Sequence, residues 1–232
     1  MTRRCAALLL TFLWSSPDTS AATITECQEM LRTGQYVQCL DAASAAVARR
    51  SYGEEWPVLK ATAETQLGRY LQAAESLEAG IVRYSWSIRL RMLSYENAKL
   101  LGDKVRADRM ISEIDQVATS APWRYTDADD LVALGKAAIV IGVDPKDVLE
   151  GFYGRAQRNY KTRPDGFLAA GQLAIAKGDF ALASETLRPA AEQFPDDPEI
   201  CFALATSVHS VEPEKAAALW EHSLEINPDF AP

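Results

Sequence analysis

Histidine is almost missing from this chain: His209 and His222 are the only two in 232 residues. There is no Gly-rich phosphate loop, no HExxH pair and no nucleophile elbow, so the common hydrolytic and phosphoryl-transfer chemistries have little to work with. Cys201 and His209 share one helical stretch with His222 close behind. Eight residues at 1.5 Å rise separate the first two by about 12 Å, too far to ligate one ion. No catalytic, metal-binding or cofactor-binding residue is therefore predicted. Asn-x-Ser/Thr is absent, so N-glycosylation is not implied. Lys and Arg form no run interleaved with aromatics, and the net charge is -8, which argues against nucleic acid or an acidic membrane surface as partner.

Long apolar runs are missing too. The stretch Cys5 to Trp14 covers about 10 residues, half of the roughly 20 needed to span a bilayer. Arg3 and Arg4 precede it, and Thr19-Ser20-Ala21-Ala22 follow, which is the pattern of a secretory leader over residues 1–22. No Cys follows a Leu-Ala-Gly type sequence there, so a lipid anchor is not supported. The expectation is an exported chain, periplasmic or extracellular, with no membrane span after the leader is removed. Loss of Arg3, Arg4 and Asp18 would bring its charge to about -9.

What the chain does have is a repeated unit, clearest in residues 167–198. Gly171, Leu173, Ala174 and Ile175 mark a helix about 13 residues long, ended by Gly178 in the left-handed conformation. A second helix follows at once, with Phe180, Ala183, Leu187, Ala190 and Ala191 on one stripe. Pro195 and Pro198 end it. The small residues Gly171 and Ala183 are placed where two axes can cross closely.

Phe180 after the turn, Leu187 and Ala190 beyond Ala183, and Pro195 at the end together resemble the tetratricopeptide repeat, a helix-turn-helix unit of about 34 residues. Phe167 and Ala174 stand where that signature has Trp and Tyr. The turn glycine recurs at this period: Gly34, Gly68 and Gly102 are spaced by 34 and 34, and Tyr36, Tyr70 and Phe180 share one position after the turn. Gly142 comes 40 residues after Gly102 and Gly178 comes 36 after Gly142, which places insertions near 120–127 and at Asp144-Pro145. The sixth unit replaces the glycine by Val211-Glu212-Pro213. The predicted fold is an all-α, right-handed superhelical solenoid of about six units over residues 23–232, at about 24–51, 52–85, 86–119, 126–162, 164–196 and 198–229.

The resemblance implies a concave groove lined by the first helix of each unit, the family's usual seat for a peptide or a partner protein. By register Glu55, Val58, Thr62, Arg89, Met92, Glu96, Lys99, Gln172 and Thr206 would face it. Cys27 and Cys39 stand at the positions of Gly171 and Ala183, the close crossing, where Cα atoms can come within the roughly 4.4 to 6.8 Å a disulfide needs. A Cys27–Cys39 bond stapling the first unit is predicted, with Cys201 a small core residue.

Three further expectations follow. In the insertion Trp123 is expected to fold back and plug the gap left by irregular stacking, with a binding patch made by Trp123, Arg124 and Tyr125 as the alternative. Asp127, Asp129 and Asp130 precede an apolar helix and read as first-turn dipole partners. Ala216, Leu219, Trp220 and Leu224 are expected to face a neighbour missing at the carboxyl end, supplied by further repeats or by a docking subunit. The function predicted is a non-catalytic interaction scaffold. Its alternatives are the leading region of a longer exported hydrolase or peptidase, and a structural assembly factor of the cell envelope.

Overall fold

The computed structural model describes residues 22–230, and the predicted leader lies outside them except for Ala22. Six helix pairs follow in order. They are α1 (Ile24–Arg32) with α2 (Tyr36–Ala48), α3 (Glu55–Gln66) with α4 (Tyr70–Arg83), and α5 (Ile88–Leu101) with α6 (Lys104–Ser120). Then α7 (Ala128–Ile141) pairs with a rod made of α8 (Pro145–Val148), a π-helical turn (Leu149–Tyr153) and α9 (Gly154–Asn159). The last two pairs are α10 (Asp165–Ala176) with α11 (Phe180–Gln193), and α12 (Pro198–Val208) with α13 (Pro213–Ile226). No strand occurs among the described residues.

Local chemistry sets the boundaries. At α1 the Thr23 hydroxyl accepts from the Glu26 amide while the Glu26 carboxylate accepts from the Thr23 amide, a full capping box. Between paired helices the backbone must reverse in about three residues. The five turn glycines, Gly34, Gly68, Gly102, Gly142 and Gly178, all adopt positive φ, from 70 to 100°. At Gly178 this lets the Asp179 amide donate back to the Ala174 carbonyl at 2.9 Å, closing α10. Asp179 then turns its own carboxylate onto the Leu182 amide at 3.0 Å and opens α11. One dipeptide ends a helix and starts the next, and Gly102-Asp103 does the same for α5 and α6.

The apolar stripes pack between neighbours and not around a centre. Five separate buried clusters succeed one another along the chain. The first joins Cys27, Cys39, Trp56 and Leu59, the next joins Ala61, Leu77 and Leu90, and another joins Ile88, Ile114 and Ala133. Val148, Tyr153 and Ala170 follow, and Leu187, Leu204 and Ala216 close the series. Such nearest-neighbour burial makes the molecule a quasi-one-dimensional stack, wound as a right-handed superhelix. The crossing glycines are tight: a Cβ on Gly171 would stand 2.5 Å from Leu187, and one on Gly135 2.3 Å from Tyr153.

Two expectations need correction. Trp123 does not plug the insertion; it is 76% exposed at the end of a short 3-10 turn (Pro122–Arg124). Tyr125 fills the gap instead, buried to 3%, because its hydroxyl can donate to the Trp86 carbonyl at 2.8 Å while the ring covers Ile88 and Ile114. At the carboxyl end Ala216 is fully buried against α11 and α12, and Leu219 and Trp220 pack on the same cluster. Only Leu224 of that set remains half exposed. Cys27 and Cys39, the pair expected to bond, lie in one cluster, fully buried and as free thiols in this structure. Their burial pushes both pKa values up, Cys39 to about 12.

Candidate functional site

The first helices of successive units face a common interior, and curvature is sufficient to bring the two ends of the stack together. Asn227, just past α13, donates Nδ2 to the Tyr36 hydroxyl at 2.9 Å. Phe230 stacks edge-on to Phe202 with ring centroids 5.6 Å apart. Tyr36 is buried for this reason, whereas Tyr70 and Phe180, at the same repeat position, stay more than a third exposed.

Three cavities make up the interior. One of about 570 Å³ lies where the ends meet, lined by Tyr36, Thr62, Gln66, Arg163, Glu199 and Phe230. Another of about 380 Å³ shares Gln66, Glu199 and Phe230 with it and adds Gln172, Phe202 and Thr206. The third, about 270 Å³, shares Gln172 and adds Met92, Glu96, Lys136 and Tyr153. Shared lining residues set the three side by side from α1 across to α12.

The structure places the predicted groove residues in four settings. Thr62, Met92, Glu96, Gln172 and Thr206 line the interior, although Met92 is 5% exposed and contributes mostly core. Glu55 and Arg89 sit at the edge formed by the amino ends of the first helices. There Arg89 is shared among Glu54 at 3.5 Å, Glu55 at 3.7 Å and Asp129 at 3.6 Å. Val58 packs on the core between units two and three. Lys99 lies elsewhere, in a cleft of about 500 Å³ beside the α5–α6 turn with Gly102, Lys104 and Asp108. Register alone does not separate these settings, because each helix presents only one narrow stripe to the axis.

Gln66, Lys136, Glu199, Phe202 and Phe230 are interior residues that register reasoning missed. Gln66 is one turn beyond Thr62, and Glu199 and Phe202 precede Thr206 by 7 and 4 positions, so extending the same stripe would have found them. Phe230 lies past the last repeat and carries no such signal.

Ion pairs bridge the inner helices. Lys136 binds Glu96 at 2.8 Å between α7 and α5, and Arg163 joins Asp129 at 2.8 Å to Asp165 at 3.0 Å. Glu199 makes no ion pair among the described residues. Water reaches its carboxyl through the cavity, yet the crowding helices displace enough solvent to push its pKa up, and the Asp197 charge adds to this. Asp197 is raised for the same first reason, against the two α12 amides, of Ile200 and Glu199, that it caps. The interior thus offers amide, hydroxyl, carboxylate and aromatic groups spaced by helical turns, a surface suited to an extended chain.

Comparison with known proteins gives the same architecture. Residues 164–207, which span α10, α11 and most of α12, match the tetratricopeptide repeat family. Among solved structures, a thermophilic TPR protein of Thermus thermophilus superposes with a TM-score of 0.60 at 17% identity, over 80% of this chain and 96% of that one. A chain of the APC/C hetero-tetramer Cut9-Hcn1 gives 0.56 at 14% identity over 89% of this chain, which spans only 40% of that protein's length. PilW, a widely conserved type IV pilus biogenesis factor, gives 0.52 at 15% identity over 77% of this chain and 79% of its own. The comparison with curated proteins finds no match. Residues 164–207 match the repeat directly, and the helix pairs before and after them stack with the solenoid fold of solved tetratricopeptide-repeat proteins.

Proposed function

We propose that this protein is a non-catalytic scaffold of an exported compartment, which holds an extended peptide segment of a partner protein in its interior. The observation that carries this reading is the pair of adjoining interior cavities lined by Thr62, Gln66, Gln172, Glu199, Phe202 and Thr206. Side chains of this kind satisfy a peptide backbone by hydrogen bonds and seat its side chains by aromatic contact. Solved proteins of similar fold include a pilus biogenesis factor and a subunit assembly, which agrees with an interaction role. Export rests on the leader pattern of residues 1–22. In an oxidising compartment we expect Cys27 and Cys39 to join, since the fold already holds the two thiols together.

The test is selection of peptides against the full chain from a random display library. Binders should be lost on Gln172→Trp or Thr206→Trp, which fill the interior, and kept on Asp115→Trp on exposed outer α6. Binders that ignore both interior substitutions would overturn the reading.

A further inference from the structure

A second recess, separate from the interior cavities, opens where the amino ends of α3, α5 and α7 meet the inserted loop. Its volume is about 250 Å³, room for one long side chain and not for a folded element. Four carboxylates line it, those of Glu54, Glu55, Asp127 and Asp130, with Arg124 the one cationic group. Arg89, just beneath, is already shared by Glu54, Glu55 and Asp129. Asp127 spends one oxygen on the Asp130 amide at 2.8 Å as the cap of α7.

Two carboxylates are left over: Asp130, and Glu54, whose Oε2 is buried without a hydrogen-bond partner. Asp130 is only 8% exposed, it lines the recess, and no hydrogen bond or ion pair holds its carboxylate among the described residues. Caps and helix dipoles explain Asp127 and Asp129, but a carboxylate sunk in protein without a partner is unfavourable unless a cation completes it. The remaining walls are aromatic: Tyr52, Tyr84, Trp86 and Tyr125. Tyr52 is 95% exposed and Trp86 43%, so the rim is open. The Trp86 ring already carries a guanidinium, that of Arg124, 5.4 Å from its centroid. Carboxylates below and aromatic faces above are the chemistry that recognises an organic cation. Among the described residues no three His, Cys, Asp or Glu side chains converge closely enough to hold a metal ion, which favours a cation with extent over a point charge.

We propose that this recess receives a cationic side chain, an arginine guanidinium by preference, from a basic segment of a protein partner. The ammonium or guanidinium pairs with Asp130 and stacks on Trp86. Groups facing Asp130 are Asp127 and Asp129 on its own helix, Glu54 at the start of α3, Arg89 on α5, and Tyr125 with Arg124 on the loop. Because burial and the surrounding carboxylates raise the Asp130 pKa to about 7, the charge that Asp130 adds to the recess is present above neutrality and lost below it.

The experiment is calorimetric titration of the full chain at pH 8 and pH 5.5 with a short arginine peptide and its citrulline counterpart, which keeps shape and loses charge. At pH 8 the arginine peptide binds at least about tenfold more tightly than the citrulline one, and Asp130→Asn removes about tenfold of that preference. At pH 5.5 wild type and Asp130→Asn converge. Trp86→Ala, at an exposed wall position that circular dichroism will show to be folded, weakens the arginine peptide further. Equal binding of the two peptides, no binding of either at pH 8, or an Asp130→Asn chain that retains wild-type preference overturns the assignment. So does calcium chloride alone displacing the arginine peptide, which would make this a metal site.

Discussion

Asn227 and Tyr36 lie 191 positions apart and share a hydrogen bond of 2.9 Å, so the sixth helix pair closes against the first. Both side chains are almost fully buried, and the Asn227 Oδ1 also caps the Asp229 amide at 3.1 Å. The contact turns an open stack into one whose ends restrain each other, and it is the structural reason that the interior is enclosed.

Closure predicts that the turn glycines are not equivalent. Gly68 has φ +70 and open space around its missing Cβ, so Gly68→Ala costs only left-handed strain, about 1 kcal/mol. Gly34 has φ +79 and a Cβ there would stand 2.4 Å from Asn227 Oδ1. Gly34→Ala should therefore lose the strain term and the end contact together, about 2 to 3 kcal/mol by urea denaturation. Equal losses for the two substitutions would show that the ends do not meet in solution.

Crossing geometry predicts an overpacking penalty with a specific rescue. Gly171→Ala drives a methyl into Leu187, three of whose carbons lie within 2.6 Å of the new Cβ, and should cost about 1 to 3 kcal/mol. Leu187→Ala alone leaves a cavity in a fully buried site and costs about 2 to 5 kcal/mol. The double substitution should cost clearly less than the two added, since each relieves the other. Additivity in thermal or urea unfolding would place the glycine away from that helix.

In the inserted loop the two aromatics should behave oppositely. Trp123→Ala removes an exposed ring and should change stability by no more than about 0.5 kcal/mol. Tyr125→Phe strips the donor from the Trp86 carbonyl and should cost about 1 kcal/mol. A large loss at Trp123, measured by the same unfolding curve, would restore the plug to that residue.

Asp130 predicts how stability depends on pH. Its folded pKa, about 7, lies above the ordinary value of 3.8, with desolvation the first cause and the Asp127 and Glu54 charges next. Between these values the folded chain binds the extra proton, so its contribution to stability falls as pH rises from about 4 to about 7. Asp130→Asn should raise stability by about 2 to 4 kcal/mol at pH 8 and by little near pH 4. A substitution that stabilises equally at both pH values would mean the carboxylate is not forced to ionise in a buried site.

Thiol counting checks the first unit. The chain beyond the leader holds Cys27, Cys39 and Cys201. All three are buried with raised pKa values, so the folded, reduced protein should react slowly with a thiol reagent at pH 8. Protein isolated from an oxidising compartment and then denatured should show one thiol. Three would exclude the bond, and with it a stabilisation of about 2 to 3 kcal/mol from closing so short a loop.

Gly34, Gly68, Gly102, Gly142 and Gly178 were legible as helix breaks because a left-handed residue is a local demand, met or not met within five residues of chain. The same holds for the Thr23 capping box, and for Gly171 lying against Leu187 one unit helix away. Helix pairs, their order and their mutual burial are therefore written in the sequence, since every cluster joins helices of the same or the adjacent pair. Which groove residues share one cavity, why Lys99 leaves it, why Tyr125 and not Trp123 turns inward, and that Asn227 reaches Tyr36 came only from the tertiary structure. These depend on the rotation between one helix pair and the next, summed over the five junctions of six pairs, and a small angle repeated at each has no signature in any single stretch of residues.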